Sequence, residues 1–389
     1  MKNSQRPVGR SRISSIDVVR GAAMVFMALD HVRDFVTELR FQPEDLARGS
    51  AALFATRWVT HFCAPAFFLL AGVGIGISRL RGASADSQSR YLLVRGLWLL
   101  ILELIITPIG WQFGFDLIPA FALVLWALGW SMIVMAVAVH LPVGVVAALA
   151  VVTIACHNLL DPLQPQSFGS FAGLWHALHL PGFVIPNVLF VGYPLVPWIG
   201  VMALGYALAD VYEWTPDRRR RFLLMAGAVA VVAFIALRAV NGYGNTFPWS
   251  EQRTPALTVA SFLNLRKYPP SLQFLLMTLG PTLIFLALAE RLRGGFASFL
   301  SVYGRVPLFF YVAHIFVAHA VAMLLAFAQG GEWRRIQIIS APQLIPDWYG
   351  VSLPGVYVAW AIVVLLLYYP CRRFSRLKDT RTDWWLRYL

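Results

Sequence analysis

Five consecutive residues, Asp30-His31-Val32-Arg33-Asp34, pack two carboxyls, an imidazole and a guanidinium into little more than one helical turn. His31 and Asp34 stand at i and i+3, and Asp30 and Asp34 at i and i+4, so on a helix a carboxylate can hold the imidazole ring. A histidine oriented by a carboxylate is the usual makeup of a general base. A solvated charge network at a helix end has the same spacing. Arg20 lies eleven residues before His31, across a stretch from Ala22 to Leu29 that carries no charge. At ~3.6 residues per turn the two share nearly one stripe, roughly 16 Å apart along the axis. A single helix would aim a cation at one membrane face and an imidazole toward the other.

Other polar groups interrupt apolar runs further along. His61 opens THFCAPAFFLLAGVGIG, in which Ala71, Gly72, Gly74 and Gly76 form a small-residue stripe suited to close helix packing. Lys267 begins KYPPSL, where the double proline fixes the entry of a helix. That lysine either holds an anionic or carbonyl group or snorkels at a helix end. His314 sits deep in YGRVPLFFYVAHIF, as a functional group or as a core histidine bonded to a neighbouring helix. His157, Asp161, His176 and His179 share one loop. HALH has helical spacing that could bind zinc, but no third ligand follows at a known spacing, so no metal is expected. Neither a Gly-x-Ser-x-Gly elbow nor a Walker-type loop occurs.

The elements that must position these groups are membrane helices. Of 389 residues, 59% are hydrophobic and only 13% charged, about half the charged share of a soluble domain. Apolar runs of spanning length lie near 18–36, 57–78, 92–110, 117–139, 143–159, 188–210, 222–240, 271–290, 304–327 and 353–370. The expected fold is all-α, one polytopic domain over 1–389, with basic tails at 1–15 and 371–389. Segments on one side carry 22 Lys and Arg residues and those on the other 10, which places both termini in the cytoplasm. The net charge of +13 thus reflects topology, and no nucleic-acid partner is expected. The run DRRRR at 217–221 is a stop between spans, and RTDWWLRYL an interfacial anchor. A cleavable signal peptide is not expected, and Cys63, Cys156 and Cys371 are too few and too scattered for a disulfide framework. This orientation puts the cluster around His31, together with Arg57, His61 and Lys267, near the outer face. Intramembrane ionisable groups are costly and by default suggest function.

Two stretches, SSIDVVRGAAMVFMALDHVRDF and RWVTHFCAPAFFLLAGVGIGI, resemble bacterial relatives of heparan-alpha-glucosaminide N-acetyltransferase, a catalytic-domain family of membrane acetyltransferases. KYPPSLQFLLMTLGPTL, YGRVPLFFYVAHIF and the C-terminal block resemble later parts of the same group, so the likeness covers nearly the whole chain. The first block also resembles acyltransferase family 3, where an Arg is followed eleven residues later by an essential His, matched here by Arg20 and His31. The resemblance implies an integral-membrane acyltransferase in a bacterial inner membrane. It would move acetyl from cytoplasmic acetyl-CoA to an extracytoplasmic sugar or glycan amine or hydroxyl. His31 would be the base, with Asp34 or Asp30 orienting it, and His61 a second acid/base or positioning group. Arg20, with Arg95 or Arg305, would attract the CoA phosphates, Lys267 would position acceptor or thioester, and His314 would serve the donor. Two departures stand out: Asp30 replaces an Asn of the lysosomal family, and the loop after the first span lacks that family's active-site histidine. The same polar cavity would also serve a transporter of a small anion or lipid-linked sugar, or a non-catalytic assembly partner. Bilayer lipid is the remaining partner, and a homodimer stays open.

Overall fold

The computed structural model describes residues 13–115, 117–331, 345–381 and 383–388. Fifteen α-helices are present among them. The first group is α1 (Ser14–Val36), α2 (Ala51–Thr60), α3 (Cys63–Leu80), α4 (Ala85–Ile101) and α5 (Thr107–Gln112). Next come α6 (Val124–Ala138), α7 (Val143–Cys156), α8 (Ala172–Leu178), α9 (Leu195–Leu208) and α10 (Pro216–Ala239). The last are α11 (Pro255–Leu263), α12 (Leu272–Ala289), α13 (Gly295–Arg305), α14 (Pro307–Ala328) and α15 (Leu353–Thr380). Among the described residues, eight continuous helical stretches are long and apolar enough to cross a membrane: 51–80, 85–112, 143–160, 195–213, 216–239, 272–289, 307–328 and 353–380. The chain is an all-α polytopic membrane protein. α1 has the length but carries five Asp and Arg residues, and α6 is apolar but only 15 residues long. With these two, every one of the ten expected spans has a helix.

The boundaries differ from the apolar runs where the chain does more than cross. Residues 117–122 and 188–191, expected as the starts of spans, supply β1 (Ala120–Ala122) and β3 (Leu189–Val191), joined by β2 (Gly182–Ile185) in the order β1-β3-β2. β1 pairs with β3 in parallel, Phe121 opposite Phe190, and β2 pairs with β3 antiparallel. The run 304–327 is broken at Arg305–Val306, giving α13 its own direction before Pro307 starts α14. The run 92–110 starts earlier, at Ala85, and contains a π-helical turn at Leu102–Ile106.

α1 is the hub. It is buried along nearly its whole length and packs on α13, α14, α15, α3 and α12. Two glycines allow its crossing with α13. A Cβ on Gly21 would lie 1.9 Å from the Leu300 carbonyl oxygen, and one on Gly304 would lie 1.8 Å from that of Asp17. The small-residue stripe of α3 is used in part. Cβ atoms on Gly72 and Gly76 would strike the backbone of Met202 and Tyr206 on α9, whereas Gly74 has nothing within 4 Å and faces a cavity. Several helices present apolar side chains outward, among them Val152 on α7, Val232 on α10 and Leu365 on the side of α15 away from α1. Such faces suit contact with lipid tails, where every backbone polar group is already satisfied within the helix.

Candidate active site

Two cavities flank α1. The first, of about 540 Å³, is walled by α1, α3, α4 and α6 and includes Arg20, Gly74, Tyr91 and Arg95. The second, of about 430 Å³, includes Asp30, His31, Asp34, Arg57 and Lys267, with Phe121 and Phe190 of the small sheet on its wall. Tyr311 and Val124 line both, so the cavities meet at these residues. The arrangement follows from α1: its Arg20 end faces one cavity and its His31 end the other.

Charges around the second cavity form a closed set. Arg33, buried in the helix interface, pairs with Asp30 and, at 3.1 Å, with Asp34. Arg57 on α2 reaches across to Asp30 and also holds Glu44 at 2.7 Å. Asp30 therefore bridges two arginines. Lys267 stands 5.2 Å over the ring of Tyr268, and no ion pair joins it to a carboxylate among the described residues. Within this cluster Asp30, Asp34 and Glu44 stand against Arg33, Arg57 and Lys267, and such pairing makes burial of ions tolerable, while Glu103 is a further carboxyl on the cavity wall. In the loop at Glu44, burial works to raise the carboxyl, but Arg57 and the His61 ring outweigh it and hold it well below the usual carboxylate range.

The partner of His31 is not the carboxylate that its spacing offers. Its Nδ1 lies 2.7 Å from Nε2 of His314, with the two rings stacked. His314 is fully buried, and its own Nδ1 is 3.0 Å from the carbonyl oxygen of Phe310. A carbonyl only accepts, so His314 carries its proton on Nδ1 and offers Nε2 as an acceptor. His31 then donates from Nδ1, and its Nε2 keeps a bare lone pair. This is the tautomer a general base needs, fixed by a hydrogen bond at the other nitrogen. Trp111 packs edge-on against the His31 ring at 5.1 Å, and Tyr311 lies at 6.5 Å.

The remaining expected residues divide. Arg20 and Arg95 meet at one cavity, and Arg20 donates to the Gly304 carbonyl at 3.1 Å. Arg305 lines neither cavity and lies 3.5 Å from Asp379. His61 is buried beside Glu44, its Nε2 3.9 Å from the carboxylate, and is also absent from both cavity walls. His314 acts on His31 rather than lining a cavity. The loop histidines separate as well. His157 Nε2 lies 2.9 Å from the Pro270 carbonyl, His179 pairs with Asp161 at 2.8 Å, and His176 lies 3.1 Å from the Leu180 carbonyl. Asn158 adds a bond from Leu272 N–H at 2.8 Å, so this loop braces the Lys267–Ser271 turn against the cavity.

Sequence reasoning passed over several wall residues: Glu103, Thr107, Trp111, Tyr193 and Tyr311. Glu103 had a signal, since it is the one acidic residue inside the apolar run at 92–110. The aromatic residues had none, because their type is common in any membrane helix.

A polytopic membrane bundle that brings an unprotonated imidazole nitrogen to a buried cavity, and an arginine pair to a second cavity adjoining it, has the parts of a group-transfer enzyme. Residues 12–243 match the family described as heparan-alpha-glucosaminide N-acetyltransferase, catalytic, and the chain belongs to that family. No curated protein matches the chain.

Proposed function

We propose that the protein transfers an acetyl group from acetyl-CoA, bound from the Arg20 side, to an amine or hydroxyl of a sugar or glycan bound on the His31 side. The observation that carries this reading is the meeting of the two cavities at Tyr311, with Arg20 and Arg95 on one and His31 on the other. The CoA phosphates sit by the arginines, and the thioester extends to the junction. His31 Nε2 takes the proton of the acceptor as it attacks the thioester carbonyl. Collapse of the tetrahedral species expels the CoA thiolate, which takes the proton back from the imidazolium. His314 keeps the Nδ1 proton of His31 in place throughout. The Lys and Arg distribution supports a cytoplasmic donor and an extracytoplasmic acceptor.

Adjoining cavities also suit a transport path, and one experiment separates the two readings. The purified protein in detergent is given acetyl-CoA and glucosamine, and released thiol is measured, alongside thermal stabilisation by CoA. Transfer together with stabilisation supports the acyltransferase. Their absence, with substrate counterflow in liposomes, supports transport. Arg95→Ala should weaken CoA by about tenfold or more, since one charge-assisted hydrogen bond contributes about 1.5–3 kcal/mol.

A further inference from the structure

The helical stretch from Ala85 to Gln112 places Glu103, Thr107 and Trp111 on the wall of the His31 cavity. The three positions are four residues apart. In a plain α-helix that spacing drifts around the axis, but the π turn at Leu102–Ile106 widens the first step and helps hold all three on one face. Each carries a buried polar atom that forms no well-aligned hydrogen bond among the described residues: Oε2 of Glu103, whose carboxyl also has the Leu125 N–H nearby, Oγ1 of Thr107 and Nε1 of Trp111. Glu103 is fully buried and Thr107 nearly so. The other oxygen of Glu103 is already anchored, accepting the Leu123 N–H at 2.6 Å, which fixes the carboxyl in place. Leaving a buried polar atom unsatisfied is costly, and native proteins seldom do so without a reason. Three in one stripe, on one cavity, point to a ligand that bonds all of them.

The chemistry of the stripe selects that ligand. It offers a carboxyl oxygen, a hydroxyl that both donates and accepts, and an indole N–H that only donates. A run of neighbouring hydroxyls, each able to donate and accept, matches all three. The site also lies next to the base: Trp111 packs against His31 at 5.1 Å.

We infer that Glu103, Thr107 and Trp111 form the acceptor-binding wall of the outer cavity, hydrogen-bonding the hydroxyls of a polyhydroxylated acceptor so that its nucleophilic atom meets His31. This rests on the acyltransferase reading and adds to it the residues that choose the acceptor. They are positioning residues, and the proton transfer remains with His31. None of them contacts the donor's nucleotide, which sits by Arg20 and Arg95 in the other cavity.

The test is steady-state kinetics with acetyl-CoA and glucosamine as the probe acceptor. Thr107→Val and Trp111→Phe should each raise the KM for glucosamine threefold or more, and the double variant tenfold or more. Glu103→Gln, which retains an oxygen for the Leu123 N–H, should raise it as well. The KM for acetyl-CoA and the thermal stabilisation by CoA should stay within twofold, which also shows that the variants fold. Thr107→Ser restores the hydroxyl and should return the KM to the wild-type range, a rescue that a packing role would not give. A rise in the KM for acetyl-CoA instead would assign the stripe to the pantetheine arm and overturn the inference, as would an unchanged KM for glucosamine in every variant. Failure of the wild-type protein to transfer acetyl to glucosamine at all would instead overturn the acyltransferase reading on which it rests.

Discussion

If His314 sets the tautomer of His31, its removal should damage chemistry without touching donor binding. In His314→Ala the Nδ1–H of His31 loses its acceptor, which lies 2.7 Å away in the native protein. The ring can then place its proton on Nε2, where it no longer acts as a base. Leaving a buried donor unpaired costs about 1–3 kcal/mol, which corresponds to roughly a 5- to 150-fold loss in kcat. The loss should be smaller than for His31→Ala, where removal of the base itself costs ~10²–10⁴-fold. Asp34 gives the contrast, because its carboxylate is bound to Arg33 at 3.1 Å rather than to the imidazole. Asp34→Asn should therefore lower kcat by less than about threefold, well under the general-base range. The assay is thiol release from acetyl-CoA under saturating acceptor, with CoA affinity followed by thermal shift as a check on folding. Retention of more than half of kcat in His314→Ala, with a hundredfold loss in Asp34→Asn, would refute the reasoning and return the orienting role to the carboxylate.

Three further outcomes are expected. Gly304→Ala should lower the melting temperature, because its Cβ would lie 1.8 Å from the Asp17 carbonyl oxygen and force α1 from α13; overpacking of this kind costs about 1–3 kcal/mol, and unchanged thermal unfolding would refute it. Glu44 is held below its ordinary range in the folded protein, so its contribution is complete above its unfolded value of about 4.3 and falls away as the pH drops toward the folded value. The difference in melting temperature between wild type and Glu44→Gln should therefore be constant from pH 7 to pH 5 and shrink below pH ~4; a difference that grows on acidification would contradict the ion pair with Arg57. A cysteine placed at Gln166 should react with an impermeant thiol reagent from outside, and one at Ser87 should not, as the Lys and Arg distribution requires; labelling at Ser87 alone would invert the topology.

Composition and the spacing of apolar runs were enough to read the class of fold, because a bilayer admits few solutions and each helix must satisfy its own backbone. The polar ends of α1 were legible for a related reason: ionisable groups such as Arg20, His31 and Arg33 are costly inside a membrane and mark a helix with a task, whereas its place as the packing hub emerged only from the structure. Helix ends were less legible. Residues 117–122 and 188–191 are as apolar as any span, and only their pairing as strands across some 70 residues takes them out of the helices. The break at Val306 and the π turn at Leu102–Ile106 likewise depend on how α13 and α4 meet their neighbours.

What the sequence by itself determined was the set of local relations: Arg20 and His31 on one stripe, a carboxylate within reach of the imidazole, small residues where helices cross. These follow from helical periodicity, which the chain carries in its own order. Which relations are used was decided only by the tertiary structure. Asp30 and Asp34 are within reach of His31 in sequence, yet they go to Arg33 and Arg57 because a buried cation draws a carboxylate more strongly than a neutral ring does. That leaves His31 to a partner 283 residues away, on α14. Periodicity reports what can touch within one helix, but a contact between distant helices exists only once they have packed.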